Sequence, residues 1–140
     1  MQSKEEDNLI FARMFPGEDI YTSLDELLEK HKVKTAVVLS GIGQIKDVEI
    51  GFFKEKGNYL PEKLAGNFEL LSLAGNISLQ DNAPEFHLHA VLGDEKKKAW
   101  GGHLISGAVN VTLELVLLKT NLEVKREIEE ETGLKGMFLE

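Results

Sequence analysis

The chain has no cysteine among its 140 residues. This absence excludes a disulfide scaffold and any metal site built from thiolates. The chain also lacks an apolar run near the ~20 residues that a membrane-spanning helix requires. Its start, "MQSKEEDNLIFARMF", carries three acidic side chains by Asp7 and no long apolar stretch, which argues against a secretory signal. We therefore expect a cytoplasmic protein with no membrane partner.

Positive charge is scarce as well. Aspartate and glutamate number 24 against 16 lysines and arginines, which gives a formal charge of −8. The basic cluster Lys96–Lys98 is interpreted as a solvated turn, and Arg13 and Arg126 are the only arginines. Proteins that bind nucleic acid gain affinity when Lys and Arg neutralise phosphates. The charge therefore argues against a nucleic-acid partner and leaves only a local patch as a route to one.

Hydrophobic periodicity predicts an α+β fold: a mostly antiparallel sheet of about seven strands with one main helix, at about residues 22–32, packed on it. Ser23 and Glu26 have capping-box spacing at the start of that helix. Leucines at positions 24, 27 and 28 give it one apolar stripe. We predict a flexible N-terminus at residues 1–7 and a single domain at residues 8–140.

Three further segments have readable patterns. The run "TAVVLSGIG" is typical of a buried strand, and Gly41 and Gly43 are predicted to turn the chain into a second strand. His31 follows the helix and is interpreted as a helix-end residue. Alternating apolar positions across residues 122–128 predict an edge strand.

The stretch "PEFHLHAVLGDEKKKAWGGHLISG" contains three of the four histidines. His87 and His89 share one face of a strand because alternate residues point the same way. A hairpin centred on Glu95 would place His103 opposite His87 and Gly101 opposite His89, with all three rings on one face. A slip of one residue would move His103 to the other face.

Three converging imidazoles suit a divalent metal. Zinc binds imidazole nitrogen at about 2.0–2.1 Å, and three protein ligands with an open fourth position are typical of catalytic rather than structural zinc. Nickel or copper would also accept such a site. Gly101 and Gly102 carry no side chain and leave room for the ion and its ligand. The alternative is that the histidines lie on a solvated surface or pack ring against ring.

Charged residues near the predicted strands could support this site. Arg13 lies in an otherwise apolar strand and needs a carboxylate partner if it is buried. Glu69 is the candidate partner and also a weak candidate for a catalytic base. Glu85 and Asp94 are further carboxylates that could orient the imidazoles. Two acidic residues, Glu18 and Asp19, precede the helix and are expected to cap or orient it.

Four blocks in order resemble one family. They are "ARMFPGEDI", "AVVLSGIGQIKDVEIGFF", "GNFELLSLAGNISL" and "PEFHLHAVLGDEKKKAWGGHLISGAVNVTLELVL". Over about residues 8–139 the chain resembles the plants-and-prokaryotes-conserved (PPC) domain, in its single-domain prokaryotic form. The resemblance implies an antiparallel sheet flanked by helix, a homotrimer, and a metal site at His87, His89 and His103. The Arg-Gly-Arg-Pro DNA-binding hook that accompanies the domain in plants has no counterpart in this chain.

The sequence leaves three functions open. The first is a small trimeric protein that binds a divalent metal, zinc in our expectation, and offers an open position to a small-molecule ligand. No activity is assigned; an enzyme of this kind would be a metal-dependent hydrolase or lyase. The second is a DNA-binding or DNA-associated regulatory or scaffold protein that acts through protein–protein contacts. The third is that the histidine cluster only stabilises the trimer.

Overall fold

The computed structural model describes residues 1–81 and 83–139, and within them the chain forms eight β-strands and one α-helix. The elements in chain order are β1 (Gln2–Glu6), β2 (Leu9–Met14), α1 (Ile20–Lys30), β3 (Thr35–Glu55), β4 (Asn58–Gln80), β5 (Ala83–Gly93), β6 (Ala99–Thr120), β7 (Val124–Ile128) and β8 (Lys135–Leu139). The predicted α+β fold with a largely antiparallel sheet is confirmed. In the described ranges, no helix combines the length and the apolar character that crossing a bilayer requires.

Six strands form one antiparallel sheet in the order β1-β2-β6-β3-β4-β5, and β7 and β8 form a separate two-stranded sheet. The larger sheet curls back on itself because β5 pairs with β4 along one edge and with β6 along the other. This closure brings β5 and β6, which carry the three clustered histidines, into direct register.

The predicted turn at Gly41 and Gly43 is wrong, since β3 continues through both residues. Gly43 has a φ of +156°, and a Cβ atom built on it would lie 2.0 Å from the carbonyl oxygen of Thr112. The glycine therefore serves a close approach of β6 to β3, at one of the register shifts that let these long strands bend. Sequence pattern alone does not separate this use of glycine from a turn.

The helix begins earlier than the sequence pattern predicts. Asp19 is the N-cap, and its Oδ1 accepts a hydrogen bond from the backbone N–H of Thr22 at 2.9 Å. The predicted capping box is therefore wrong, and Ser23 is instead buried in the first turn. Asp19 is as good a cap as serine and precedes it in the chain, so the helix begins and ends about two residues earlier than predicted. The expectation that Asp19 caps the helix is confirmed.

The N-terminal segment, predicted to be flexible over residues 1–7, contains strand β1 paired with β2. Glu5 lies 2.9 Å from Nδ1 of His31 and accepts from Nζ of Lys119 at 3.1 Å. Both partners lower the pKa of the Glu5 carboxyl, Lys119 more than His31. These long-range partners explain why residues with little hydrophobicity form a strand. His31 is the C-cap of α1, as expected, and lies far from the histidine cluster in sequence and in role.

The hydrophobic core lies between α1 and one face of the sheet, which we call the inner face. Its largest fully buried side chains are Ile10, Met14, Ile20, Leu24, Leu27, Ile45, Leu70, Leu73, Ile77, Leu88, Leu92 and Leu104. The opposite, outer face carries a row of residues in register across five strands. From β2 to β5 these are Leu9, Leu118, Val37, Asn76 and His87. Opposed residues of antiparallel strands share a face, so the row connects an apolar patch to the histidines.

Candidate metal centre

His87 and His89 on β5 and His103 on β6 form one cluster on the outer face. Their ring centroids are separated by 5.2 Å, 5.6 Å and 5.5 Å for the three pairs. One ring nitrogen from each residue lies within 4.8 Å of the other two. The neighbouring residues Leu88 and Ala90 point into the core, which fixes β5 with its histidines outward. The predicted shared face is therefore confirmed.

The predicted register of the β5–β6 hairpin is wrong by two residues. His103 is opposite His89 rather than His87, and Gly101 is opposite Val91. The turn is set by Asp94, whose Oδ1 accepts from the backbone N–H groups of residues 96 and 98 at 2.9 Å each. These bonds centre the turn one residue later than predicted. The prediction that the three imidazoles share one face is still correct, because a shift of two residues preserves the alternation of side chains along a strand.

The helix holds both strands of the cluster from the inner side. The hydroxyl of Tyr21 donates to the carbonyl oxygen of Leu104, next to His103. The same ring packs edge-on against Phe86, next to His87, with centroids 5.3 Å apart. Burial raises the pKa of the Tyr21 hydroxyl to about 12, so it remains a donor at any ordinary pH. The helix therefore fixes the relative positions of two of the three imidazoles.

Tyr59 on β4 forms a wall beside His103. Its ring lies edge-on to the imidazole, with centroids 6.4 Å apart. The ring crosses β3 at Gly51, where an added Cβ would lie 2.1 Å from the Tyr59 hydroxyl oxygen. Gly51 pairs with His103 in the β3–β6 ladder. Only a residue without a side chain lets the tyrosine approach the imidazole here.

The surroundings of His87 and His103 favour the neutral form of these two imidazoles. Partial loss of hydration beside its neighbours is the largest cause that lowers the pKa of His87, a side chain that remains open to solvent on one side, followed by the charges of His89 and Arg126. The pKa of His103 is lowered by burial and then by His87 and His89. A lower pKa leaves a ring nitrogen unprotonated and able to bind a cation near neutral pH. The lowered pKa therefore reduces the competition of protons with a metal for these two rings.

The donor set fits a single divalent ion. Tetrahedral zinc with Zn–N bonds of about 2.05 Å separates its nitrogens by about 3.3 Å, which is within the spacing limit of this cluster. Three imidazoles with no carboxylate among them suit zinc, copper or nickel better than calcium or magnesium. His87 and His89 are exposed, so a fourth position faces outward. The residues could therefore hold a metal that still accepts a ligand.

A cavity of about 850 Å³ opens over the cluster. Its size falls in the range of small-molecule sites. Aromatic and aliphatic side chains form much of its wall, and its remaining members come from both sheets. The lining consists of Gly51, Phe52, Phe53, Tyr59, Glu85, Phe86, His87, His89, Gly102, His103, Ile105, Arg126, Leu134 and Lys135.

Glu69 and Arg13, which the sequence suggested as a pair near the site, lie outside this cavity. Glu69 accepts from Nε2 of Gln44 at 2.7 Å and lines a different cavity. Arg13 donates from Nε to the Thr112 hydroxyl at 3.2 Å, and its guanidinium lies 5.1 Å from the centre of the Phe15 ring. Across residues 1–81 and 83–139 the two are not an ion pair. Within one chain, Glu69 is not placed to act as a base at the histidines.

Of the other residues that the sequence suggested for the site, some line the cavity and some do not. Gly102 lines the cavity, where an added Cβ would lie 2.7 Å from the backbone oxygen of Gly51, whereas Gly101 is not part of the lining. Glu85 lines the cavity and forms an ion pair with Lys135 of the C-terminal hairpin. Asp94 serves the hairpin turn and accepts from Nε1 of Trp100 at 3.1 Å. Glu85 alone of the suggested carboxylates is beside the cluster.

Sequence reasoning missed Arg126 and Tyr59. Arg126 occupies a position in the alternating pattern of residues 122–128 that apolar residues hold elsewhere, which was the available signal that its side chain is buried. Tyr59 lies in the polar stretch "KEKGNYLPEK", where no periodic pattern marks it. Both residues reach the cavity only through pairings that are distant in sequence.

The chain is similar in sequence and in fold to known proteins. The sequence profile of the Plants and Prokaryotes Conserved (PCC) domain matches residues 1–121. A plant- and prokaryote-conserved protein from Pyrococcus horikoshii has 30% identity and a TM-score of 0.81, with 99% of this chain and 96% of that chain covered. A metal-containing protein from Archaeoglobus fulgidus has 30% identity and a TM-score of 0.84, with 96% and 95% covered.

Other similarities bear on the fold or on part of a longer protein. A protein from Bacteroides thetaiotaomicron, named as a candidate DNA-binding protein, has a TM-score of 0.91 at 24% identity, with 99% and 96% covered. The bifunctional protein GlmU of a Synechococcus strain is 28% identical over 131 residues, which is 91% of this chain. The chain spans only 20% of that protein's length.

Proposed function

This chain belongs to the Plants and Prokaryotes Conserved domain family, and on that premise we propose that it binds one divalent metal ion, zinc, through His87, His89 and His103. The single observation that carries the proposal is the convergence of three ring nitrogens within 4.8 Å of one another. The Archaeoglobus fulgidus protein, which is described as metal-containing, supports it. The imidazoles hold the ion and leave one coordination position toward the cavity.

The bound metal would supply Lewis-acid character to a small ligand in the cavity. The residues of this chain position that ligand: the aromatic walls exclude water, and Tyr59 lies against His103. A carboxylate placed to act as a base is not among the described residues that line the cavity, because Glu85 is bound to Lys135. We therefore propose binding of a metal and a small ligand rather than a specific reaction.

We further propose that the chain assembles as a homotrimer through the apolar part of the outer face. Leu9, Leu118 and Val37 are in register across three adjacent strands, and all three are exposed. Phe11 lies on the same face and is 58% exposed. A contiguous exposed apolar patch is typical of an interaction surface. A second copy of this chain is the occupant that the family resemblance supports.

Replacing Phe11 with glutamate should convert the trimer to monomer. Burial of a phenylalanine contributes roughly 1.5–3 kcal/mol, and a buried carboxylate without a partner opposes association further. Size-exclusion chromatography with light scattering at micromolar concentration measures the change in mass. Leu122→Glu is the matched control, because Leu122 is 64% exposed but lies outside the patch. A Phe11→Glu protein with the mass of the wild type would contradict this interface.

Binding to DNA is the competing function, favoured by the name of the Bacteroides relative. The net charge of −8 opposes it, since phosphate contacts need clustered positive side chains. We expect no binding of a labelled duplex by fluorescence polarisation at ~50 mM salt. Binding that weakens steeply as salt is raised would support the competing function.

A further inference from the structure

Arg126 on β7 is a buried cation with neutral partners. Its side chain is only 7% exposed. Its Nε donates to the Ser78 hydroxyl at 3.3 Å, and Nη2 donates to Oδ1 of Asn76. Its backbone N–H donates to Oε1 of Gln80 at 3.0 Å. Three residues of β4 in the main sheet are thus joined to one arginine of the two-stranded sheet.

The guanidinium keeps hydrogen-bonding capacity that the protein does not use. Of its five N–H groups, the Nη1 pair has no acceptor among residues 1–81 and 83–139. No side-chain nitrogen in these ranges is both fully buried and without a partner, so Nη1 reaches open space. Arg126 also has no carboxylate partner in the described chain. A charge removed from water in this way is costly unless an anion pairs with it.

Arg126 borders the open cavity over the histidines. The Asn76 side chain that accepts from Arg126 is directly opposite His87 in the β4–β5 ladder. Opposed residues have Cβ atoms about 4.5–5.5 Å apart, so the guanidinium is bonded to a side chain that is the direct neighbour of His87. The arginine and the candidate metal ligands therefore face the same volume.

The cavity is electropositive in an otherwise acidic protein. Glu85 is the one acidic residue of its lining, and its charge is offset by the ion pair with Lys135. Arg126 then remains as an unmatched positive charge, and a divalent ion at the histidines would add to it. The charge of the cavity lining is therefore positive, whereas the net charge of the protein is −8. A general excess of basic residues does not explain it.

We propose that the ligand of this cavity is a small carboxylic acid, held by Arg126 at its carboxylate. This inference rests on the proposed function, because it supplies the ligand class for the same site. The planar guanidinium fork matches a carboxylate with two parallel hydrogen bonds. The apolar walls, which include Phe53, Ile105 and Leu134, match a hydrocarbon body rather than a fully polar anion. The geometry favours an aromatic or aliphatic acid over free phosphate.

Calorimetric titration with benzoate, benzyl alcohol and inorganic phosphate tests the inference, in both metal-free and zinc-loaded protein. Benzoate should bind most tightly, and Arg126→Met should weaken it by about 10-fold or more, the loss expected for a hydrogen bond to a charged group. Arg126→Lys should recover part of the affinity. Benzyl alcohol lacks the carboxylate and should bind weakly and equally to all variants.

Two further variants keep the test decisive if Arg126→Met does not fold. Asn76→Asp gives the guanidinium a resident carboxylate and should weaken benzoate while retaining the arginine. The control Lys63→Met removes one positive charge, as Arg126→Met does, at an exposed position outside the cavity lining, and it should leave benzoate affinity within about two-fold.

The outcomes separate the two proposals. Benzoate affinity that is independent of Arg126 overturns this inference, and so does phosphate binding tighter than benzoate. Zinc binding in the same samples, measured before benzoate is added, reports on the metal site alone. If zinc does not bind, the proposed function fails while the metal-free titration still decides the role of Arg126.

Discussion

Replacing any one of His87, His89 or His103 with alanine is expected to lower zinc affinity by at least about 100-fold. Loss of an outer partner of a metal ligand alone costs roughly 10–100-fold, and loss of the ligand itself should cost more. Protein purified without an affinity tag should carry one zinc per chain, and the variants should carry little. Elemental analysis measures the content, and competition with a chromophoric chelator measures the affinity.

The chain provides its own matched control for this experiment. His31→Ala removes the fourth histidine, which is bonded to Glu5 and Ser3 away from the cluster. That variant should keep its zinc, although its N-terminal strand loses a partner. Wild-type protein that emerges metal-free from zinc-replete cells would refute the metal proposal. Full zinc content in a single cluster variant would remove that residue from the ligand set.

Replacing Gly75 with alanine is expected to reduce both the stability of the fold and the affinity for metal. Gly75 has a φ of +151°, and an added Cβ would lie 1.9 Å from the carbonyl oxygen of His87. The obstructing atoms belong to the backbone of β5 and cannot rotate away. Backbone strain of about 1–3 kcal/mol adds to this overlap, so we expect a loss of about 3 kcal/mol or more in unfolding free energy.

Urea denaturation of the metal-free protein measures this loss, and Gly66→Ala isolates its cause. Gly66 also has a positive φ, of +107°, but no atom lies within 4 Å of the position of an added Cβ. Its substitution should therefore cost only the strain, about 1–2 kcal/mol. Equal losses in the two variants would show that the contact with β5 does not matter. Zinc affinity should fall in Gly75→Ala alone, because only that change displaces His87.

The histidine face could be predicted from sequence because it depends on strand alternation, which is a local property. The pairing of His103 could not, because it depends on which residue centres the turn, and Asp94 decides this through bonds to the backbone. An error of two residues exchanged the partners and kept the face. The predicted turn at Gly41 and Gly43 was wrong for a related reason. Gly43 is required by the backbone of Thr112, and that residue is remote in sequence.

Long-range contacts also explain the other differences. The N-terminal strand depends on Lys119 and His31, which composition does not connect to residues 2–6. The alternating pattern of residues 122–128 places the charged Arg126 at a position that would otherwise be apolar. Its contacts with the cavity depend on packing of the C-terminal hairpin against β4, which the pattern does not predict. The family resemblance implied the same three histidines as metal ligands that strand alternation had already suggested. It added nothing about the arginine.

The C-terminal hairpin is a small sheet of its own, and it brings both Arg126 and Lys135 to a cavity whose imidazoles come from the main sheet. Under the two proposals, metal binding depends on β5 and β6, whereas selection of the ligand depends on the C-terminal hairpin. Replacement of β7 and β8 by another hairpin should change the ligand specificity of the cavity and leave the metal affinity of the histidines unchanged. The C-terminal hairpin is therefore the segment to randomise when variants with a different ligand specificity are selected.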